Sequence, residues 1–215
     1  MKIGVFDSGI GGLSVYNAIK KALPNQELIF KNDRLHVPYG NKSKEELYQL
    51  VVPIFNDFVS EGCKIIVVAC NTVSTTIIDQ LRKTYDATLI AVEPMVKEGV
   101  SLTQNKVIAV CATPTTLKSD RYHDLKDTYA ESVSVIEPDC SDWSYMIENN
   151  QLDQQQIQDR INYVLSQKAD VIILGCTHYH WIEDQIKQFA KNKAVVIQPE
   201  PDIVKRLKQV IEQLA

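Results

Sequence analysis

Short, continuously apolar runs alternate along this chain with longer amphipathic stretches. The apolar runs fall at residues 2–6, 27–30, 64–69, 88–92, 106–111, 132–136, 171–174 and 194–197, most of them rich in Val and Ile. A strand that is apolar on both sides belongs in a parallel sheet covered by helices on both faces. The stretches between them carry helical spacing at 13–23, 43–60, 72–84, 117–129, 154–167, 181–191 and 202–214. Ser43 followed by Glu46 is a capping-box spacing at the start of the second of these. Strand then helix, repeated, predicts an α/β protein with right-handed crossovers.

The pattern echoes itself. Ile-Ile-Val-Val-Ala-Cys-Asn-Thr at 65–72 and Val-Ile-Ile-Leu-Gly-Cys-Thr-His at 171–178 both place a cysteine between a buried strand and a helix, about half the chain apart. The expectation is two pseudo-symmetric, doubly wound parallel-sheet (flavodoxin-like) half-domains, 1–93 and 94–199, with the active site in the cleft between them. A C-terminal helix over about 200–215 is expected to pack back on the first half. Pro94 sets the boundary, and no charge block or low-complexity linker separates the halves.

Composition narrows the classes. The chain has 215 residues, 23 Lys+Arg and 27 Asp+Glu, for a net charge of −4. That mild acidity, with no Lys/Arg cluster, argues against a nucleic-acid partner. No apolar run approaches the roughly 18 residues of a membrane helix, and the N-terminus does not read as a signal peptide. Five widely spaced cysteines (Cys63, Cys70, Cys111, Cys140, Cys176) suggest reduced thiols in a cytoplasm. No CxxC or paired Cys/His spacing predicts a metal.

Ligands of doubly wound sheets sit outside the carboxyl ends of the strands. The residues there are Asp7-Ser8-Gly9, Cys70-Asn71-Thr72, Thr113 to Thr116, and Cys176-Thr177-His178. A cysteine at a helix start feels the positive end of the helix dipole, which favours the thiolate. Cys63, Cys111 and Cys140 read as small core hydrophobes. Two thiols facing each other across a cleft suit a racemase, which removes a proton from one face of a carbon and returns one to the other. Each thiol needs a helper to set its protonation state, and Asp7 and His178 are available, one per half. The glycines of Asp7-Ser8-Gly9-Ile10-Gly11-Gly12 match neither GxGxxG nor a P-loop, but free N–H groups at a helix start can bind a carboxylate. Asn71, Thr72, Thr113, Thr116 and Thr177 together resemble a pocket for a small zwitterion. The absence of Lys and Arg at these strand ends fits carboxylate capture by N–H and hydroxyl groups. His36, His123 and His180 read as surface residues or as residues behind the pocket, and Trp143 and Trp181 as packing.

These motifs, with Asp33, Pro38-Tyr39-Gly40 and Gly175-Cys176-Thr177-His178-Tyr179, resemble the glutamate racemases of the aspartate/glutamate racemase superfamily over about residues 1–180. The resemblance implies cofactor-independent interconversion of L- and D-glutamate, supplying D-glutamate to bacterial peptidoglycan synthesis, with a small-molecule amino acid as partner. It implies that Cys70 and Cys176 are the acid/base pair, assisted by Asp7 and His178, and that Glu148 is an acid on the second half's side. Ser8, Pro38, Tyr39, Gly40, Asn71, Thr72, Thr116 and Thr177 match substrate-contact positions. Many such racemases are homodimers, although no stripe marks an interface here. The chain departs from the family pattern at 32–36, at His180 and at Gln-Pro-Glu-Pro (198–201), and it is some tens of residues shorter. Arg34 and His36 are therefore candidates to favour a different distal group, and an aspartate or broad-specificity racemase is the alternative. A non-catalytic amino-acid-binding homologue on the same scaffold is a further alternative, against which the two cysteines argue, since a binding module needs neither. A redox dithiol needs closer thiols than a substrate-flanking pair provides.

Overall fold

The computed structural model describes residues 1–214. Eight strands form two four-stranded, wholly parallel sheets. The first contains β1 (Lys2–Asp7), β2 (Glu27–Asn32), β3 (Cys63–Val68) and β4 (Thr88–Ala91) in the order β2-β1-β3-β4. The second contains β5 (Val107–Ala112), β6 (Ser134–Ile136), β7 (Val171–Gly175) and β8 (Val195–Ile197) in the order β6-β5-β7-β8. All eight lie within two residues of the ranges the hydrophobic pattern predicts. The two orders are the same, so β3 and β7, which end at Cys70 and Cys176, occupy equivalent positions. In each sheet the order reverses between the first and third strands, and ligands bind at such a switch point.

The central strands are buried on both faces because helices cover both. On the first sheet, α2 (Lys44–Ser60) buries Leu47, Val51, Phe55 and Phe58 at helical spacing against Phe6, Ile66 and Val68. Its capping box is formed: Ser43 accepts from the Glu46 N–H, and Glu46 accepts from the Ser43 N–H. The opposite face is covered by α1 (Leu13–Ala22) and by α11 (Glu200–Leu214), whose Ile203, Leu207 and Val210 pack with Ile3, Val5, Ile65 and Val67. The chain thus returns to its first sheet after finishing the second. Leu207 is fully buried. Leu207→Ala is therefore expected to cost about 3 kcal/mol of stability, measurable by urea unfolding; a loss under about 0.5 kcal/mol would mean that α11 does not seal this core.

Three stretches differ from expectation. The region 72–84 is two helices, α3 (Asn71–Thr76) and α4 (Ile78–Thr84), broken at Ile77. The Thr75 and Thr76 hydroxyls bond back to carbonyls of the preceding turn, and the β-branched run Thr75 to Ile78 disfavours a continuous helix. The region 117–129 divides into α6 (Pro114–Leu117) and α7 (Asp120–Tyr129) because Ser119 caps the second. Residues 177–182 form a 3-10 segment ahead of α10 (Glu183–Ala190). The hydrophobic pattern predicts α9 (Gln154–Ser166) but does not mark the short helices α5 (Val96–Leu102) and α8 (Trp143–Glu148).

Candidate active site

The carboxyl ends of β1, β3, β5 and β7 converge on one cleft between the sheets. It is lined from the first half by Ser8, Val37, Pro38, Tyr39, Gly40, Cys70, Asn71 and Thr72, and from the second by Thr113, Ser144, Cys176, Thr177 and His178. The halves close so tightly that the free space is about that of one water molecule. Asp7, Thr116 and Glu148 do not line it; each is hydrogen-bonded to a residue that does.

Glycines allow this closure. A Cβ on Gly11 would lie 2.6 Å from the His178 backbone nitrogen and 2.7 Å from Thr177 Oγ1. A Cβ on Gly9 would collide with the Glu148 carboxylate and lie 2.7 Å from His178 Nε2. The Gly9–Gly12 turn therefore acts as a seat for the 177–178 backbone of the other half. Gly11→Ala must push the halves apart, and a shift approaching 1 Å is expected to lower kcat/KM about 10²-fold. Steady-state kinetics checks this, and unchanged kinetics would show that closure is not needed.

Polar contacts cross the same interface. Thr177 donates to Asp7 Oδ1 at 2.9 Å, and the Ile10 N–H donates to Glu148 Oε2 at 2.9 Å. The hydroxyls of Thr72, Thr113 and Thr116 form a buried cluster at 3.0 to 3.4 Å. Thr115 donates to the Gly40 carbonyl at 2.6 Å. Asn71 donates to the Val92 carbonyl at 2.8 Å, while its buried Oδ1 has no protein partner among the described residues.

Cys70 and Cys176 each occupy the residue before a short helix, and both are buried. The expected thiolate at Cys70 is not what the structure supports. Burial, and then the neighbouring Asp7 charge, push the Cys70 thiol up to about 12. The six-residue α3 does not offset the lost solvation. Asp7 makes no hydrogen bond to Cys70; its oxygens accept from the Gly9 N–H at 3.0 Å and from Thr177. Its effect on Cys70 is through charge. Its own carboxyl is raised by burial, partly offset by the His178 charge. The hydroxyl beside the Cys70 sulfur is Ser8 Oγ, at 3.7 Å.

The second thiol has different company. His178 Nδ1 lies 4.0 Å from Cys176 Sγ, and His178 Nε2 lies 2.8 Å from Glu148 Oε2. Burial would lower the His178 pKa, but hydrogen bonds with Cys176 and Glu148 outweigh it and push it up to about 10. For Glu148, burial is outweighed by bonds from His178, the Ile10 N–H and Arg34, which bring it down to about 2. The buried pair is therefore an imidazolium and a carboxylate. Arg34 Nε reaches Glu148 Oε1 at 2.6 Å from the rim of the other half.

Four further residues have partners that the sequence does not indicate. Arg34 pairs with Glu148, and His36 with Asp33 at 2.7 Å, so both are engaged by protein carboxylates. Asp33 also accepts from the Tyr39 hydroxyl at 2.7 Å. Of the two readings of His180, at the surface or behind the pocket, the structure shows the buried one, with Nδ1 3.0 Å from Glu200 and 3.1 Å from Ser14. This ties the 198–201 segment to the Cys176–His180 motif. Ser144 was missed. Its one local signal is the four-residue spacing to Glu148, which puts both on one helix face. Cys63, Cys111 and Cys140 lie in the cores, and Trp143 packs edge-on against Tyr179 at 5.2 Å.

Known proteins are similar to this chain in sequence and in fold. Residues 3–201 match the family model for Asp/Glu/hydantoin racemases. A glutamate racemase of Roseiflexus sp. (strain RS-1) is 34% identical, covering 98% of this chain and 79% of the relative. Among solved structures, Escherichia coli glutamate racemase in complex with L-glutamate and the activator UDP-MurNAc-Ala superposes with a TM-score of 0.91 at 28% identity, covering 98% of this chain and 82% of the other. Glutamate racemase from Francisella tularensis in complex with D-glutamate gives 0.82 at 29% identity, covering 99% and 81%.

Proposed function

This chain belongs to the Asp/Glu/hydantoin racemase family, and from that premise we propose that it is a glutamate racemase, interconverting L- and D-glutamate by a two-thiol mechanism without a cofactor. It would act in the cytoplasm and supply D-glutamate for peptidoglycan. The observation that carries the reading is the pair of cysteines at equivalent strand ends of the two halves, lining one cleft.

In this reading each thiol serves one face of Cα. One sulfur, as thiolate, takes the α-proton, and the other, as thiol, returns a proton from the opposite side. The reverse direction exchanges the roles. A thiol pushed up to about 12, as at Cys70, is a competent acid at rest and a strong base once ionised. The His178 cation, held by Glu148, offsets negative charge on the Cys176 sulfur. Asp7 positions Thr177 and the Gly9 turn. The Thr72 and Thr113 hydroxyls, with Ser8 and the backbone around Pro38-Tyr39-Gly40, are the groups we assign to the substrate carboxylates, while Thr177, whose proton goes to Asp7, holds the two halves together beside them. Asn71 Oδ1, an acceptor without a protein partner, suits the ammonium group. Thr116 supports this set from behind.

Chiral chromatography tests the substrate. Incubation with L-glutamate, without added cofactor, is expected to give a 1:1 mixture of enantiomers, with L-aspartate racemised far more slowly. Equal or faster turnover of aspartate would make this a racemase of different specificity, and no turnover of any amino acid would contradict the reading.

A further inference from the structure

We propose that Ser144 is a positioning residue for Cys176: its hydroxyl accepts from the sulfur when Cys176 is a thiol and donates to it when Cys176 is a thiolate. The inference rests on the two-thiol reading above.

Ser144 is buried on α8, lines the cleft, and places Oγ 3.6 Å from Cys176 Sγ. Helical serines commonly bond a carbonyl of their own preceding turn. In this chain Ser14, Ser60, Ser101 and Ser166 do so, each to the carbonyl three residues back. Ser144 makes no such bond among the described residues; its hydroxyl is turned to the sulfur instead. The arrangement mirrors the other half, where Ser8 Oγ lies 3.7 Å from Cys70 Sγ. Each thiol thus has one hydroxyl neighbour, although Ser8 follows a strand and Ser144 sits on a helix.

A hydroxyl suits a group that alternates between two protonation states, because it can turn its proton either way. With Cys176 as thiol, Ser144 Oγ accepts the S–H. With Cys176 as thiolate, the Ser144 proton turns to sulfur. Ser144 neither gains nor loses a proton over the turnover. The other titratable groups facing Cys176 are His178, Cys70 and Tyr179, with Asp7 and Glu148 behind His178.

The test is the pH dependence of iodoacetamide alkylation in the substrate-free protein, read cysteine by cysteine by mass spectrometry. In Ser144→Ala the midpoint for Cys176 is expected to rise by about 1 pH unit, since a donor to the charged form is lost. Cys70 should not move, and Ser144→Thr, which keeps the hydroxyl, should restore the Cys176 midpoint. The kcat/KM of Ser144→Ala should fall about 10-fold equally in both directions, because a racemase has an equilibrium constant of one. An unmoved Cys176 midpoint in Ser144→Ala, or a Cys70 midpoint moving with it, would overturn the assignment. α-Proton exchange by the wild-type protein keeps the two readings apart. If the wild type exchanges and the midpoint is unmoved, only the role of Ser144 fails; if it does not exchange, the two-thiol reading itself fails.

Discussion

Cys70→Ser and Cys176→Ser are each expected to lower racemisation about 10³-fold, to nearly the same residual level from either enantiomer. General acid–base catalysis contributes roughly 10²- to 10⁴-fold per group, and a serine hydroxyl is too weakly acidic to replace a thiol in either role. The loss should be shared by both directions because each direction uses both sulfurs, one as base and one as acid. The cleft gives each thiol a different neighbourhood: Ser8 and the Asp7 charge at Cys70, and His178, Glu148 and Ser144 at Cys176. One-sided proton exchange in one of the mutants, without net racemisation, fits this account. Full activity in either mutant does not. Cys111 is buried in the second core, so Cys111→Ser should alter stability and leave turnover per folded molecule unchanged.

The second large effect is expected at Glu148. Its carboxylate accepts from the Ile10 N–H, from Arg34 and from His178, and so joins the first half's glycine turn and rim to the second half's thiol helper. Glu148→Gln leaves the buried His178 cation without its counter-charge. A loss of about 10²-fold in kcat/KM and about 3 kcal/mol of stability is expected. The stability loss should depend on pH in a specific way. His178 is raised from 6.5 to about 10, so its contribution is complete below pH 6.5 and disappears as pH rises through 10. Glu148 is lowered from 4.5 to about 2, so its contribution is complete above pH 4.5 and disappears as pH falls through 2. Urea unfolding should therefore show the largest gap between wild type and Glu148→Gln between about pH 4.5 and 6.5, narrowing towards pH 10. A gap independent of pH would assign the loss to packing alone.

Much of this architecture is legible locally. Val- and Ile-rich runs mark strands because a strand covered on both faces has no polar side to display. The two Cys motifs stand out because core packing does not require polar residues directly after them. What could not be read depends on distance or competition. Nothing in the run from Asp142 to Glu148 says that Ser144 meets a sulfur 32 residues later. Nothing near Arg34 says that it meets Glu148, 114 residues on. His180 reads equally as a surface residue or as one behind the pocket until α11 brings Glu200 against it. The break at Ile77 is a contest between hydroxyl back-bonding and helix continuation, which periodicity alone does not weigh. The dipole argument for a Cys70 thiolate fails for a related reason: it counts the helix and omits the burial and the Asp7 charge that outweigh it.

Proton NMR of glutamate in deuterated water tests the central claim most directly. The pure protein, with no added cofactor, is expected to erase the α-proton signal of L-glutamate and of D-glutamate alike, with deuterium appearing in the enantiomer formed. A folded protein that leaves both α-proton signals intact would contradict the assignment of Cys70 and Cys176 as a two-base pair.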